Sequence, residues 1–163
     1  MRHTVVLQTG LGRVDLRWSG GRLEGIRLGR LARDGGRPYV AEGRVPDGMG
    51  EALVGELMGY FSGSSITPGE GLPLPVATPF QRAVWRAARE IPYGQTRSYG
   101  WVAEAVGRRG AARAVGAALG KNPFPMVVPC HRVVGAGGAL TGFAYGKAWK
   151  AALLALEGMR IAK

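Results

Sequence analysis

Cys130 is the single cysteine among 163 residues, and it stands in the stretch VVPCHRVVG with His131 and Arg132 directly after it. A free thiol has a pKa of about 8.5, so only a few per cent is thiolate at neutral pH. Burial among the flanking valines raises that value further. A nucleophilic Cys130 therefore needs a base or a positive neighbour. His131 can take the proton directly or through one water, and a carboxylate can orient the imidazole and stabilise its charged form. Glu157 is the candidate, because it closes the last amphipathic segment, where a carboxylate faces the negative end of a helix dipole. That position is unfavourable by up to about 1 kcal/mol, and a cationic or proton-donating partner such as His131 offsets it. The competing role for Cys130 is inert packing, since free cysteine is among the most buried residue types. One Cys and two His, His3 and His131, are too few for a thiolate zinc site. One cysteine forms no internal disulfide, and a lone thiol survives best in a reducing compartment.

The elements that must hold these groups read as helices. In TPFQRAVWRAARE, Thr78 caps the N-terminus and Pro79 suits the first helical position; Phe80, Val84, Ala87 and Ala88 make its buried side. Ser98 caps YGWVAEAVG, with Gly107 as its stop. AARAVGAALG follows, closed by Gly120, and two short helices joined by a tight glycine-containing turn form a helix-turn-helix pattern. Apart from Arg113, Val115 and Leu119, the second helix is Ala and Gly. It is a smooth surface with one long cationic arm, suited to close approach to a groove. Prolines 123, 125 and 129 keep the segment before Cys130 out of a helix, leaving loop and strand. The last helix, within YGKAWKAALLALEG, buries Trp149, Leu153 and Leu156.

The first half reads as β. HTVVLQ, GRVDLRWS and RLEGIRLG are strands separated by hairpin turns in TGLG and SGG. RLARDGGRPYVAEGRVPDGMG reads as loop. EALVGELMGYF places Leu53, Val54, Leu57, Met58 and Phe61 on one helical face. Trp18 is assigned to packing. SGSSITPGEGLPLPVA is a connector with one short possible strand, and the charge changes beyond it. Residues 1–77 carry 9 Lys+Arg and 8 Asp+Glu, a net of +1; residues 78–163 carry 13 and 3, a net of +10. This predicts two domains, 1–72 and 73–163, in an α+β fold, with a polyanionic partner for the second. No apolar run reaches the roughly 18 residues of a membrane span, and MRHTVVLQTG lacks the apolar stretch of a signal peptide. The expectation is a soluble, cytoplasmic protein without membrane contact.

IPYGQTRSYG, then AARAVGAALGKNPFPMVVPCHRVVGAGGALTGF, then ALLALEG, in this order and spacing, resemble the O6-alkylguanine-DNA alkyltransferase family. The match is specific over residues 78–158 and looser before them. The resemblance implies an N-terminal ribonuclease-H-like α/β domain and a C-terminal winged-helix-like DNA-binding domain. It implies a methylated-DNA–protein-cysteine methyltransferase: a monomer that works once, without cofactor or metal, on O6-alkylguanine in double-stranded DNA, with O4-alkylthymine left open as a second substrate. Cys130 is then the alkyl acceptor, His131 its base through a water, and Glu157 the holder of His131. Arg113 is the finger that takes the place of the extruded nucleotide. Tyr99 helps rotate that nucleotide and donates a proton to the departing guanine. Asn122 pins the turn before the active-site strand. Gly100, Ala111, Ala112 and Gly116 join Tyr99 and Arg113 on the minor-groove face. The carbonyls of Cys130 and Val133 accept from the guanine amine, and Ala144 and Tyr145 complete the lesion pocket. GFAYGKAW departs from common members, which have a small residue followed by paired glycines. A serine stands in many relatives where Ala144 is, and Tyr145 narrows the pocket.

Two other functions fit parts of this pattern. A non-catalytic alkyltransferase-like protein would flip and flag damaged bases, but such relatives lack the cysteine. A plain winged-helix regulator would use the basic half and leave Cys130, His131 and Glu157 without a purpose.

Overall fold

Alternating apolar residues and glycine-bearing turns make a meander of the first 31 residues. Arg2–Thr9 (β1), Gly12–Ser19 (β2) and Arg22–Leu31 (β3) pair antiparallel, with Tyr39–Glu42 (β4) antiparallel on the far side of β1, in the order β3-β2-β1-β4. Gly20 and Gly21 both have positive φ, 54° and 79°, as the twisted two-residue hairpin turn requires. In the other turn the Thr9 hydroxyl accepts from Leu11 N and Gly12 N and donates to Gly12 O at 2.7 Å. The register aligns Val5 with Leu16 and Ile26, and Leu7 with Val14 and Leu28. All six are buried, as is Trp18.

The structure, a computed structural model, describes residues 1–160. The chain divides into two units, Met1–Gly69 and Glu70–Lys163, so the break falls three residues ahead of the boundary expected from composition. In the first unit β4 corrects the expectation of loop. Its four residues are exposed and lack an apolar pattern, and only pairing with the distant β1 makes them a strand. The short strand expected between 62 and 77 does not form. Helix α1 runs Met49–Phe61 and buries Leu53, Val54, Leu57, Tyr60 and Phe61. Met58 is half-buried instead, so the buried stripe passes through Tyr60.

In the second unit Pro79–Arg89 (α2) begins with a capping box, Thr78 Oγ1 accepting from Gln81 N at 3.1 Å and Gln81 Oε1 from Thr78 N at 3.2 Å. Tyr99–Ala105 (α3) starts where Ser98 Oγ accepts from Trp101 N, and Gly107 ends that turn at φ 73°. Ala112–Gly120 (α4) follows. Arg97–Ser98 (β5) pairs parallel with Val133–Val134 (β6), and Lys147–Leu156 (α5) closes the unit. Val84, Ala88, Val102, Ala103, Val115, Val128 and Val133 form its buried core. Trp85 joins them, its indole N–H donating to Ala118 O at 2.8 Å. Phe80 is only partly buried against this core. Leu156 is half-buried, while Lys150 and Leu154 take buried places on α5. The unit is the α+β, winged-helix-like arrangement expected, with α3 and α4 as the helix pair. Among the described residues no helix is long and apolar enough to cross a membrane.

Candidate active site

Cys130 does not sit on a strand. It opens a single 3-10 turn, Cys130–Arg132, and β6 begins only at Val133. The loop feeding this turn is held by Asn122. Its Nδ2 donates to Val128 O at 2.9 Å and to Cys130 Sγ at 3.3 Å, and its Oδ1 accepts from Phe124 N at 2.9 Å. Met126, in the same loop, has left-handed backbone, φ 72°, and a fully buried side chain. A non-glycine residue there is unfavourable by about 1–2 kcal/mol, so the surrounding packing imposes the reversal.

A 3-10 turn rotates successive side chains by about a third of a circle. His131 and Arg132 thus leave Cys130 and enter the interior, each with no exposure. Both reach Glu157, the residue that ends α5. His131 Nε2 lies 2.5 Å from Glu157 Oε2, and Arg132 Nε donates to Oε1 at 2.8 Å. Gly94 N also donates to Oε1, at 3.1 Å. Arg132 continues to Ile91 O at 2.9 Å and lies 5.7 Å from the Tyr93 ring centroid. These donors offset the helix C-terminal dipole that disfavours Glu157. Burial holds the His131 pKa below its ordinary value, against the pull of Glu157. The imidazole is therefore neutral, donates Nε2–H to the carboxylate, and keeps a lone pair on Nδ1. Burial pushes the Cys130 thiol up, countered in part by the Asn122 hydrogen bond and the Lys150 charge. The resting sulfur is a protonated thiol, hydrogen-bonded by Asn122.

In front of the sulfur is a cleft of about 470 Å³. It gathers Cys130, Asn122, Tyr99, Arg113, Ala112, Gly116, Ala144 and Tyr145. Arg113 is exposed on α4, and Gly116 is so close to Tyr99 that a β-carbon there would lie 3.7 Å from its ring. His131 and Glu157 are buried and do not line the cleft. Gly100, Ala111 and Val133 are not among the residues lining it, and Val133 is fully buried against Arg97 across the β5–β6 pair. The sequence reading missed Thr141, Gly142 and Phe143, which line one wall, with the Phe143 and Tyr145 rings 5.9 Å apart. It also missed Arg132, despite its place in the Pro-Cys-His-Arg string, and Lys150, whose signal is a lone charge in the apolar run AWKAALLAL. Among the described residues no three or more His, Cys, Asp or Glu side chains gather as a metal site would need.

A cleft-lining cysteine, a buried histidine–carboxylate pair and a short helix pair thus come together in a winged-helix-like unit. Residues 79–159 match the family described as 6-O-methylguanine DNA methyltransferase, DNA binding domain. The methylated-DNA–protein-cysteine methyltransferase of Mycobacterium bovis is 41% identical over 161 residues, covering 98% of this chain and 94% of that protein. That of Methanosarcina acetivorans is 50% identical over 103 residues, 63% of this chain and 65% of its own. The crystal structure of Mycobacterium tuberculosis O6-methylguanine methyltransferase superposes with a TM-score of 0.74 at 38% identity, covering 96% and 93% of the two chains. A structure of the M. tuberculosis protein in complex with DNA gives 0.71 at 37%, covering 96% and 91%. The chain belongs to the methylated-DNA–protein-cysteine methyltransferase family, a class of enzymes.

Proposed function

We propose that this protein repairs DNA by moving a methyl or larger alkyl group from O6 of guanine in a duplex onto Sγ of its own Cys130. The observation that carries this is one sulfur lining a cleft, next in sequence to a fully buried His131 that is paired with Glu157. The alkylated edge of a stacked base is out of reach, so the nucleotide must be swung out, which costs a few kcal/mol. Arg113, projecting from the small-residue face of α4, fills the gap in the minor groove. Ala112 and Gly116 on that helix let the backbone come close, and Gly100 and Ala111 flank it on the DNA side.

Neutral His131 takes the thiol proton on Nδ1 through a water, and Glu157 stabilises the imidazolium. The thiolate attacks the alkyl carbon in line, a C–S bond forms, and the C–O6 pair goes to guanine. Tyr99 gives its phenolic proton to the ring as that charge develops, and the proton on His131 returns to Tyr99 through solvent. The product is a thioether without a leaving group, so each polypeptide acts once and needs neither cofactor nor metal. Asn122 holds the sulfur-bearing loop, and the carbonyls of Cys130 and Val133 recognise the guanine amine. Phe143, Ala144 and Tyr145 wall the side where the alkyl group enters, and the Tyr145 ring favours methyl over bulky groups. O4-alkylthymine offers the same displacement. The protein works as a monomer in the cytoplasm.

Incubation with duplex DNA containing O6-methylguanine should add the mass of one methylene at Cys130, with Cys130→Ser inert. Tight lesion binding without any mass gain would instead establish a non-catalytic damaged-base binder.

A further inference from the structure

The first unit separates its charges along the chain. Residues 2–44 hold nine Arg, no Lys and four acids, a net of +5, while residues 45–69 hold three acids and no Lys or Arg. The strand register decides where the positive charge goes, because paired residues of neighbouring strands share a face of the sheet. Val5, Leu7, Val14, Leu16, Ile26 and Leu28 take the core face. On the other face Arg17 stands between Thr4 and Gly25, Arg27 is opposite Asp15, and Arg22 is opposite Ser19. All three arginines are exposed, and among the described residues none of their guanidinium groups has a partner. The acids beside them are engaged by other arginines. Asp15 binds Arg13 through both its oxygens, at 2.7 and 3.3 Å, and Glu24 lies 3.5 Å from Arg2. Glu42, opposite Val6, is two or three strands away. Arg17 and Arg27 are diagonal neighbours, about 7–8 Å apart, so their charges repel until an anion lies over them. Gly25 puts no side chain beside Arg17, which leaves a low surface on a rigid sheet. The planar guanidinium fork also matches a pair of phosphate oxygens, which an ammonium cannot do.

We propose that this sheet face is a second contact surface for the phosphate backbone of duplex DNA, carried by Arg17, Arg22 and Arg27. The assignment gives DNA binding to the unit that lacks the cysteine, and it rests on the alkyl-transfer function only for the choice of polyanion. A duplex held by the second unit is kept at high effective concentration for the first, so weak backbone contacts suffice. Each phosphate neutralised on B-DNA steepens the fall of log K with log salt by about 0.9. Fluorescence anisotropy of an undamaged duplex, from about 50 to 200 mM salt, is compared for four forms of the whole chain: the unaltered protein, Arg17→Gln/Arg22→Gln/Arg27→Gln, the same three positions changed to Lys, and Arg30→Gln/Arg33→Gln/Arg44→Gln. The last removes an equal charge from exposed arginines off this face. The first Gln triple should flatten the slope by about 2–3. The Lys triple should keep most of the slope, and the off-face triple should change it by less than about 1. A slope unchanged in the first Gln triple, or flattened equally in the off-face triple, overturns the proposal. Should a triple lose its cooperative unfolding transition, phenylglyoxal labelling of the unaltered protein decides instead: duplex should protect Arg17 and Arg27, and labelling unaffected by duplex overturns the proposal. The slopes are read on undamaged DNA, so a failure of methyl transfer overturns the alkyl-transfer function without altering them.

Discussion

His131 Nε2 meets Glu157 Oε2 at 2.5 Å with neither side chain exposed to solvent. The second carboxylate oxygen holds Arg132 Nε at 2.8 Å, so one buried anion serves two neighbours. Removing one member of a buried ionic group leaves the others unpaired, at about 3–5 kcal/mol. Glu157→Ala should lose that much stability in urea unfolding and also lose methyl transfer. An unchanged unfolding midpoint would mean that Arg132 finds compensation elsewhere.

The pH dependence of stability follows from two shifted groups. The folded-state pKa of His131 lies below its ordinary 6.5. As pH falls through about 6.5, the unfolded chain therefore binds a proton that the folded chain refuses, and stability drops. Cys130 is shifted above the ordinary thiol value of about 8.5. As pH rises past that value, the unfolded chain releases a proton that the folded chain keeps, and stability drops again. Each group contributes a slope of up to about 1.4 kcal/mol per pH unit inside its window. Urea unfolding from pH 5 to 10, repeated with His131→Gln and Cys130→Ala, should show each variant flattening its own limb. A limb as steep in the variant as in the parent assigns that slope to other groups.

The α+β class, the helix pair and the charge division could be read from the sequence because their signals are local. A threonine before a proline, a serine before a short run and a glycine after one each describe a helix end within a few residues. β4 could not be read this way, since Tyr39–Glu42 become a strand only by meeting β1 some thirty residues earlier. The same divide runs through the site. Cys130 and His131 are adjacent in the chain, and Glu157 was suspected because its helix end suits it poorly. Lys150 is a lone charge in an apolar run, which does not say what it meets. Its burial against Tyr99, 51 residues away, exists only after α5 has packed, and no periodicity announces it.

Arg113 is exposed, so Arg113→Ala should change stability by no more than about 0.5 kcal/mol. Transfer from duplex DNA should nevertheless fall about 10- to 100-fold, the equivalent of the few kcal/mol needed to extrude a base. Transfer from the free base O6-methylguanine, which needs no extrusion, should stay within about twofold. Equal losses on both substrates would place Arg113 in the chemistry instead.

Gly116 lies within α4, and glycine in a helix interior is about 0.5–1 kcal/mol less favourable than alanine. A β-carbon there meets the Tyr99 ring at 3.7 Å, an ordinary contact. Gly116→Ala should therefore unfold at higher urea while binding duplex DNA more weakly in fluorescence anisotropy. A variant that gains stability and keeps its affinity would show that this face of α4 does not approach the duplex.

Met126 carries one further consequence. Its left-handed backbone and sealed side chain mean that the loop delivering the sulfur is not a shape the peptide prefers by itself. Neighbouring packing enforces it, and anything that loosens those neighbours releases the loop early. Chemical competence is thus a more delicate gauge of intactness than ellipticity: on gentle heating the reactive group drifts out of place while the spirals around it still look whole.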